Sequence, residues 1–273
     1  MLLCLDVGNS QLFAGVFDQE NVILKFRYDS RQAFTSDQFG VFVRSLLREH
    51  DLDYRQICQT AIASVVPELN YSIRSACIKY LNTEPFILKA GVKTGLKIKY
   101  HNPLEVGADR IANAIAACQQ FPNQNIIVIS LGTATTFCGI TEDRSYLGGA
   151  IFPGFGLCMR ALQEGTAKLK TVNIAKPEQI IGQSTYASIQ SGLFYGQLGV
   201  LKEQIYQITQ TAFPKKPPFV IGTGGFSHLF EGEGVFNVIV PDLVLHGIRL
   251  ANEMNDARLT SSKDKRISNA AET

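Results

Sequence analysis

One acidic residue stands directly before a short glycine turn, a placement suited to phosphate chemistry. Asp6 closes the apolar run LLCL and is followed by VGNS, so that residues 6–10 read DVGNS. Backbone N–H groups of such a turn can face a phosphate, and the carboxylate can hold Mg²⁺ beside it, directly or through water. The alternative is an ordinary hairpin turn with a turn-forming Asp.

A second acidic residue opens a predicted helix. Asp109 lies in the segment GADR, residues 107–110, at the start of a run rich in Ala and Ile. Its carboxylate can accept or orient the proton of a substrate hydroxyl, or it can simply complement the helix dipole. Arg110 offers a planar fork that suits a substrate carboxylate, and its alternative is a salt-bridged surface residue.

Further glycine-rich segments follow. LGTATTF at 131–137 and TGG at 223–225 each come at the end of an apolar strand pattern, and nucleotides commonly lie across such strand ends. GGAIFPGFG at 148–156 marks backbone that turns sharply, approaches a ligand, or forms a structural loop.

The four histidines have no metal-ligand spacing, and we assign none of them to catalysis.

The elements that must position these residues repeat along the chain. Residues 2–17 and 126–141 share an apolar run, a small-residue turn and a second apolar run, typical of a hairpin. An offset of 124 aligns Gly8 with Gly132, and carries Phe13 onto Phe137 and Gly15 onto Gly139. A second echo, AIASVVPE and VIGTGGFS, aligns Ser64 with Thr223. Two echoes in the same order predict a duplicated α/β domain.

Helical periodicity fills the segments between the strands. We predict helices over 35–52, 70–82, 107–121 and 188–210, the first capped by Thr35 or Ser36. The end of the chain loses apolar periodicity, and we predict that 256–273 is a mobile tail.

Composition restricts the partners and the compartment. The chain of 273 residues has a net charge of +2, which gives no reason to expect a nucleic-acid partner. No apolar run is long enough to cross a bilayer, and the start MLLCL lacks the pattern of a signal peptide. The six scattered cysteines are typical of reduced core residues. We therefore expect a cytoplasmic protein that binds neither nucleic acid nor membrane.

Taken together, the motifs resemble those of type III pantothenate kinases. DVGNS, GADR, LGTATTF, GGAIFPG, STYASIQSG and TGG occur in the family's order, and the resemblance covers residues 1 to about 250. It implies the acetate and sugar kinase, heat-shock chaperone and actin superfamily, with two ribonuclease-H-like domains and ATP in the cleft between them. We expect these domains at 1–119 and 120–255. The resemblance also implies a homodimer with the pantothenate pocket at the subunit interface.

The resemblance implies a role for each matching residue. Asp109 is the catalytic base, Asp6 organises Mg²⁺, and Ser130 stands where the family associates a carboxylate with K⁺ or NH₄⁺. The implied ATP and phosphate contacts are Asp6, Val7, Gly8, Asn9, Ser10, Gln11, Leu12, Phe13, Gly132 and Thr133. The implied pantothenate contacts are Tyr100, Gly107, Ala108, Asp109, Arg110 and Thr185. Two positions depart from the family: Ser10 replaces the frequent Thr, and Ser130 replaces the usual Asp.

The implied reaction transfers the γ-phosphoryl group of ATP to pantothenate, giving ADP and 4′-phosphopantothenate on the way to coenzyme A. The rival enzyme is a superfamily kinase acting on a sugar or acetate, against which GADR and Thr185 argue. The rival without catalysis is a degenerate nucleotide-binding regulator. Asp6 and Asp109 argue against it, whereas Ser130 leaves it open.

Overall fold

The structure is a computed structural model that describes residues 1–256 of the chain. Of the tail predicted over 256–273, all but Asp256 lies outside the described residues. The strands are β1 (Leu2–Val7), β2 (Gln11–Asp18), β3 (Asn21–Asp29), β4 (Gln59–Ser64), β5 (Phe86–Ile87), β6 (Lys97–Ile98), β7 (Ile126–Leu131), β8 (Ala134–Ile140), β9 (Ser145–Pro153), β10 (Phe219–Thr223) and β11 (Val238–Ile239). The α-helices are α1 (Ser36–Glu49), α2 (Pro67–Leu81), α3 (Ala108–Gln120), α4 (Phe155–Glu164), α5 (Thr185–Ala212) and α6 (Leu243–Asn255).

The first sheet has the strand order β3-β2-β1-β4-β5. β1 runs antiparallel to β2 and parallel to β4. Because successive strand residues point to opposite faces, Leu3 and Leu5 pack into an apolar cluster with α1 and α2. α6 covers the other face so closely that a Cβ added to Gly15 would lie 2.8 Å from Leu245 Cδ1.

The second sheet repeats this arrangement. Its order is β11-β10-β7-β8-β9-β6, and the strands β9, β8, β7, β10 and β11 pair in the same directions as β3, β2, β1, β4 and β5. β6 is an addition, parallel to β9. Ile127 and Ile129 of β7 share an apolar cluster with Phe155 of α4 and Phe194 of α5. The predicted duplication of a ribonuclease-H-like α/β fold is confirmed.

The pairing of the strands corrects the alignment of the two hairpins. Asp6 and Ser130 are each the fifth residue of a six-residue strand. Asp6 pairs with Phe13, however, whereas Ser130 pairs with Thr136. The second turn is therefore one residue shorter, so the alignments of Phe13 with Phe137 and of Gly15 with Gly139 are wrong by one position.

The second echo is corrected in the same way. Asp6 pairs with Ala63 on β4, and Ser130 pairs with Thr223 on β10. Thr223 is thus the counterpart of Ala63 and not of Ser64. The sequence contains the repeated strand pattern, but the residue-to-residue match depends on backbone pairing.

The predicted helices are present with small shifts at their ends. Thr35 caps α1 in a capping box with Gln38, as its side-chain type predicts. α2 begins at Pro67, three residues before the predicted start at 70, because a proline in the first helical turn sacrifices no intrahelical hydrogen bond.

The described residues divide into two compact units. The first comprises residues 1–95, 102–116 and 243–256, and the second comprises 96–101 and 117–242. The last helix returns to the first unit because α6 packs against β1 and β4. The predicted domains 1–119 and 120–255 are consecutive and so place α6 differently.

The prediction that the cysteines are core residues is confirmed for four of the six. All six cysteines are free, and Cys4, Cys77, Cys118 and Cys138 are buried, while Cys58 is exposed. Within residues 1–256, every helix is too short or too polar to span a membrane.

Candidate active site

Asp6 is an acidic residue in a strand that is otherwise apolar and buried. Its backbone pairs with Phe13 on one side and Ala63 on the other, and its side chain is half-buried. Strand alternation places this side chain on the α6 face, away from the cluster under α1 and α2. A carboxylate there costs folding free energy unless something pairs with it, which marks Asp6 as a candidate functional residue.

Asp109 lies in the first turn of α3, as predicted. Its carboxylate sits against Gly107, because a Cβ added at residue 107 would overlap Asp109 Oδ1. The same Cβ would lie 3.5 Å from Cγ1 of Val65, just beyond β4. Because Gly107 has no side chain, the Asp109 carboxylate can occupy the space beside it.

The two carboxylates influence one another. Burial, and then the negative charge of Asp109, raise the pKa of Asp6 to about 8, whereas Arg27 acts to lower it. Burial also raises the pKa of Asp109, against the backbone N–H and the charge of Arg110. Such repelling carboxylates are typical of a site that takes up a cation or a proton during its function.

The Arg110 side chain is buried. It is 7% exposed, and its Nη2 donates a hydrogen bond to the Glu105 carbonyl at 3.4 Å. The alternative of a surface position for Arg110 is therefore wrong. Arg110 ties the short turn at Pro103–Glu105 to the start of α3, and its contact with a substrate carboxylate stays a prediction.

The first glycine turn is held by its own backbone. Gly8 N–H donates to the Gln11 carbonyl at 3.2 Å, and the Ser30 hydroxyl donates to the Gly8 carbonyl. The side chains of Val7 and Leu12 are buried in the apolar cluster, so these two residues can offer a ligand only their backbone. Residues 8–11 are partly or fully exposed and form the accessible part of the predicted phosphate loop.

The second glycine turn, in the second unit, is enclosed by other glycines. Gly154 donates to the Thr133 carbonyl at 3.1 Å, and a Cβ on Gly154 would lie 2.6 Å from that oxygen. Gly224 has a φ of +87° and packs against the backbone of Leu131. GGAIFPGFG and TGG thus contribute glycines that let neighbouring backbone approach the turn at Gly132.

Ser130 belongs to a row of three hydroxyl residues. It is paired with Thr136 on β8 and with Thr223 on β10, which is 2% exposed. Directly paired residues project from the same face, so the three side chains lie side by side. The corresponding row in the first unit carries one carboxylate, that of Asp6.

Two predicted pantothenate contacts also lie in the second unit. Tyr100 packs on Gly148, whose φ is +113° and whose added Cβ would lie 3.1 Å from Tyr100 Cε2. Thr185 is the exposed first residue of α5, where the Ser184 side chain accepts a hydrogen bond from Ala187 N–H at 3.1 Å. The first unit brings together Asp6, the first turn and residues 107–110.

Arg27 also lies near Asp6, and no motif in the sequence indicates this. Its guanidinium carbon lies 4.2 Å from the centre of the Phe13 ring, and Phe13 is the strand partner of both Arg27 and Asp6. Alternation along NVILKFRYD indicates that Arg27 is exposed, but its closeness to Asp6 depends on the register of two successive hairpins.

The duplicated strand order, with Asp6 just before the first glycine turn, defines a class of two-unit ribonuclease-H-like proteins. One solved structure of similar fold is a candidate Baf family transcriptional activator from Campylobacter jejuni, with TM-score 0.58, 18% identity, and coverage of 93% of this chain and 98% of that one. Another is a candidate 2-dehydro-3-deoxygalactonokinase from Sinorhizobium meliloti, with TM-score 0.57, 12% identity, and coverage of 94% and 100%. At such identities the likeness shows the fold alone.

Sequence comparison identifies the family. A family model for type III pantothenate kinase matches residues 2–207. The type III pantothenate kinase of Legionella pneumophila (strain Corby) is 56% identical over 257 residues, which are 94% of this chain and 100% of the relative. The chain belongs to the type III pantothenate kinase family, and the resemblance inferred from its motifs is confirmed.

Proposed function

We propose that this chain transfers the γ-phosphoryl group of ATP to pantothenate, giving ADP and 4′-phosphopantothenate in the first step of coenzyme A biosynthesis. The supporting observation is the pair of interacting carboxylates, Asp6 and Asp109, beside a glycine turn in a member of this family. Phosphoryl transfer depends mainly on positioning and on neutralising charge, which such a site is built to do.

Asp109 is the proposed catalytic base. The acceptor hydroxyl attacks the γ-phosphorus, its proton passes to the Asp109 carboxylate, and the bond to the bridging oxygen breaks to release ADP. The raised pKa of Asp109 suits it to hold that proton. Gly107 leaves the space for this carboxylate, so we count it as a residue that positions the base.

Asp6 is the proposed partner of Mg²⁺. Mg²⁺ takes oxygen ligands and is commonly held by one or two carboxylates together with substrate phosphates. The half-buried Asp6 offers carboxylate oxygens, and a cation held there would offset the burial and the charge of Asp109, which raise the pKa of Asp6 to about 8. When bound, the ion would neutralise phosphate charge.

The remaining contacts follow the family motifs. We propose that the backbone of residues 8–11, with Asp6, Val7, Leu12 and Phe13 behind it, binds the phosphates of ATP. Gly132 and Thr133 contribute the ATP contacts of the second unit. Tyr100, residues 107–110 and Thr185 are the proposed pantothenate contacts.

A monovalent cation at Ser130 would find neutral oxygen ligands. The hydroxyls of Ser130, Thr136 and Thr223 form the row described above, and no carboxylate belongs to it. Because a carboxylate adds full negative charge and a hydroxyl does not, we propose that K⁺ or NH₄⁺ binds more weakly here than in relatives that carry Asp.

We also propose a homodimer, and the face of α5 supports it. The stretch GLFYGQLGVL at 192–201 is too hydrophobic for one helix face, which favours an apolar contact surface, but its large apolar residues pack into the chain's own core, so that expectation is wrong. Instead Gly192, Gly196 and Gly199 line one exposed face, each with open space where a side chain would lie. Thr185 lies on the same face by helical spacing, which suits a pantothenate site completed by a second copy.

We propose that the protein is located in the cytosol. All six cysteines are free, which is typical of proteins in reducing compartments. Fractionation of cells that express the chain, with cytosolic and membrane markers, tests this placement.

A coupled assay of ADP release tests the activity. The chain is supplied with Mg-ATP and, in turn, pantothenate, a hexose and acetate, and the product is identified by mass spectrometry. We expect turnover only when pantothenate is the acceptor, with 4′-phosphopantothenate as the product. Turnover with another acceptor would support the rival kinase, and nucleotide binding without turnover would support a regulator.

A further inference from the structure

Arg27 is a cationic side chain that none of the roles above employs. It lies on β3, and strand register places Asp6, Phe13 and Arg27 side by side across three strands. Directly paired residues project from the same face of a sheet. Arg27 therefore shares the face on which Asp6 interacts with Asp109.

Phe13 gives the guanidinium a platform. The Arg27 guanidinium carbon lies 4.2 Å from the ring centre, a cation–π arrangement that restricts where the group can point. The Arg27 side chain is exposed, so its donors are accessible to a ligand. A planar guanidinium held on a ring is well prepared to bind a phosphate with two parallel hydrogen bonds.

The negative charges of the site favour a cation near Asp6 and Asp109. Asp6 and Asp109 repel one another, and the polyphosphate of ATP adds further negative charge beside them. The positive charge of Arg27 acts to lower the pKa of Asp6, so the guanidinium lies within electrostatic range of that carboxylate. In the proposed reaction the transferred group passes next to both carboxylates, within the field of this guanidinium.

We propose that Arg27 is a phosphate-binding residue that contacts the γ-phosphate of ATP, with Phe13 as its positioning residue. This inference rests on the proposed function. It also predicts a binding difference that does not depend on turnover, since ADP lacks the γ-phosphate.

Calorimetric titration of the full chain with Mg-ADP and with the Mg complex of adenylyl imidodiphosphate tests the contact. Arg27→Gln should weaken binding of the triphosphate analogue about tenfold or more and leave ADP binding within about twofold, as expected for a lost charged hydrogen bond. Arg27→Lys keeps the charge but loses the fork and should fall between. Lys25→Gln is the matched control, because Lys25 is exposed on the same face of β3, two residues farther from the turn.

Phe13→Leu should weaken analogue binding less than Arg27→Gln does, because it removes the platform and not the charge. An equal loss of ADP and analogue binding in Arg27→Gln, or no loss of either, would overturn the inference. Thermal melting of each variant identifies a misfolded protein, in which case Arg27→Lys carries the test. Wild-type protein that binds nucleotide but fails to phosphorylate pantothenate would contradict the proposed function and not the γ-phosphate contact.

Discussion

Gly107→Ala should damage catalysis while leaving the fold intact. The backbone of Gly107 lies outside the left-handed region, so alanine adds no strain there. Replacing glycine by alanine at the residue just before α3 should lower the free energy of unfolding by about 0.5–1 kcal/mol. The new Cβ would overlap Oδ1 of Asp109, and relief requires the carboxylate to move by about 1 Å, a displacement that can cost about a hundredfold in rate. We expect kcat to fall by roughly that factor, with the KM for ATP little changed.

Initial-rate kinetics at saturating ATP, together with thermal melting, measure this effect. Gly156→Ala is the matched control, because it lies at the start of α4 with open space around its added Cβ, and it should keep wild-type turnover. If Gly107→Ala acts through the base, the double variant Gly107→Ala/Asp109→Asn should be no slower than Asp109→Asn alone. Near wild-type turnover in a folded Gly107→Ala protein would refute the positioning role.

Four other results are expected. Asp109→Asn should lower turnover about a hundredfold or more and leave ATP binding nearly intact, and rapid turnover in this variant would sink its assignment as base. Asp6→Asn should abolish turnover yet raise stability in Mg²⁺-free buffer by about 1–3 kcal/mol at pH 8. The pKa of Asp6 rises from 3.8 to about 8 on folding, so wild-type stability falls as pH rises through that window, and the gain should shrink towards pH 4. A pH-independent gain in melting temperature would contradict this account. Ser130→Asp should strengthen activation by K⁺ over wild type, measured in a buffer whose other cation is bulky, and absolute high-affinity K⁺ dependence of the wild type would defeat the idea. Gly196→Ala should lower the dimer fraction seen by light scattering, with Gly156→Ala as control, whereas an active wild-type monomer would exclude the dimer.

The sequence by itself determined the kind of fold and the family. Apolar runs that end in small-residue turns predict hairpins, and helical periodicity between them predicts the α/β duplication. These signals are local, because they depend on backbone preferences and on which face of an element is apolar. Asp6 and Asp109 were identifiable for the same reason, since each stands at the end of an element whose pattern is clear.

Only the tertiary structure decided which side chains meet. Arg27 reaches the neighbourhood of Asp6 through two strand pairings, and the second hairpin is one residue shorter than the first. Register in a hairpin depends on the type and length of the turn and on which face of each strand is buried, and a shift of one residue would move Arg27 to the other face. Likewise Gly107 reads as a helix start in the sequence, and only the structure shows that the Asp109 side chain turns back into the space beside it. The return of α6 to the first sheet has the same origin, because its apolar face is satisfied by β1 and β4 and not by its sequence neighbours.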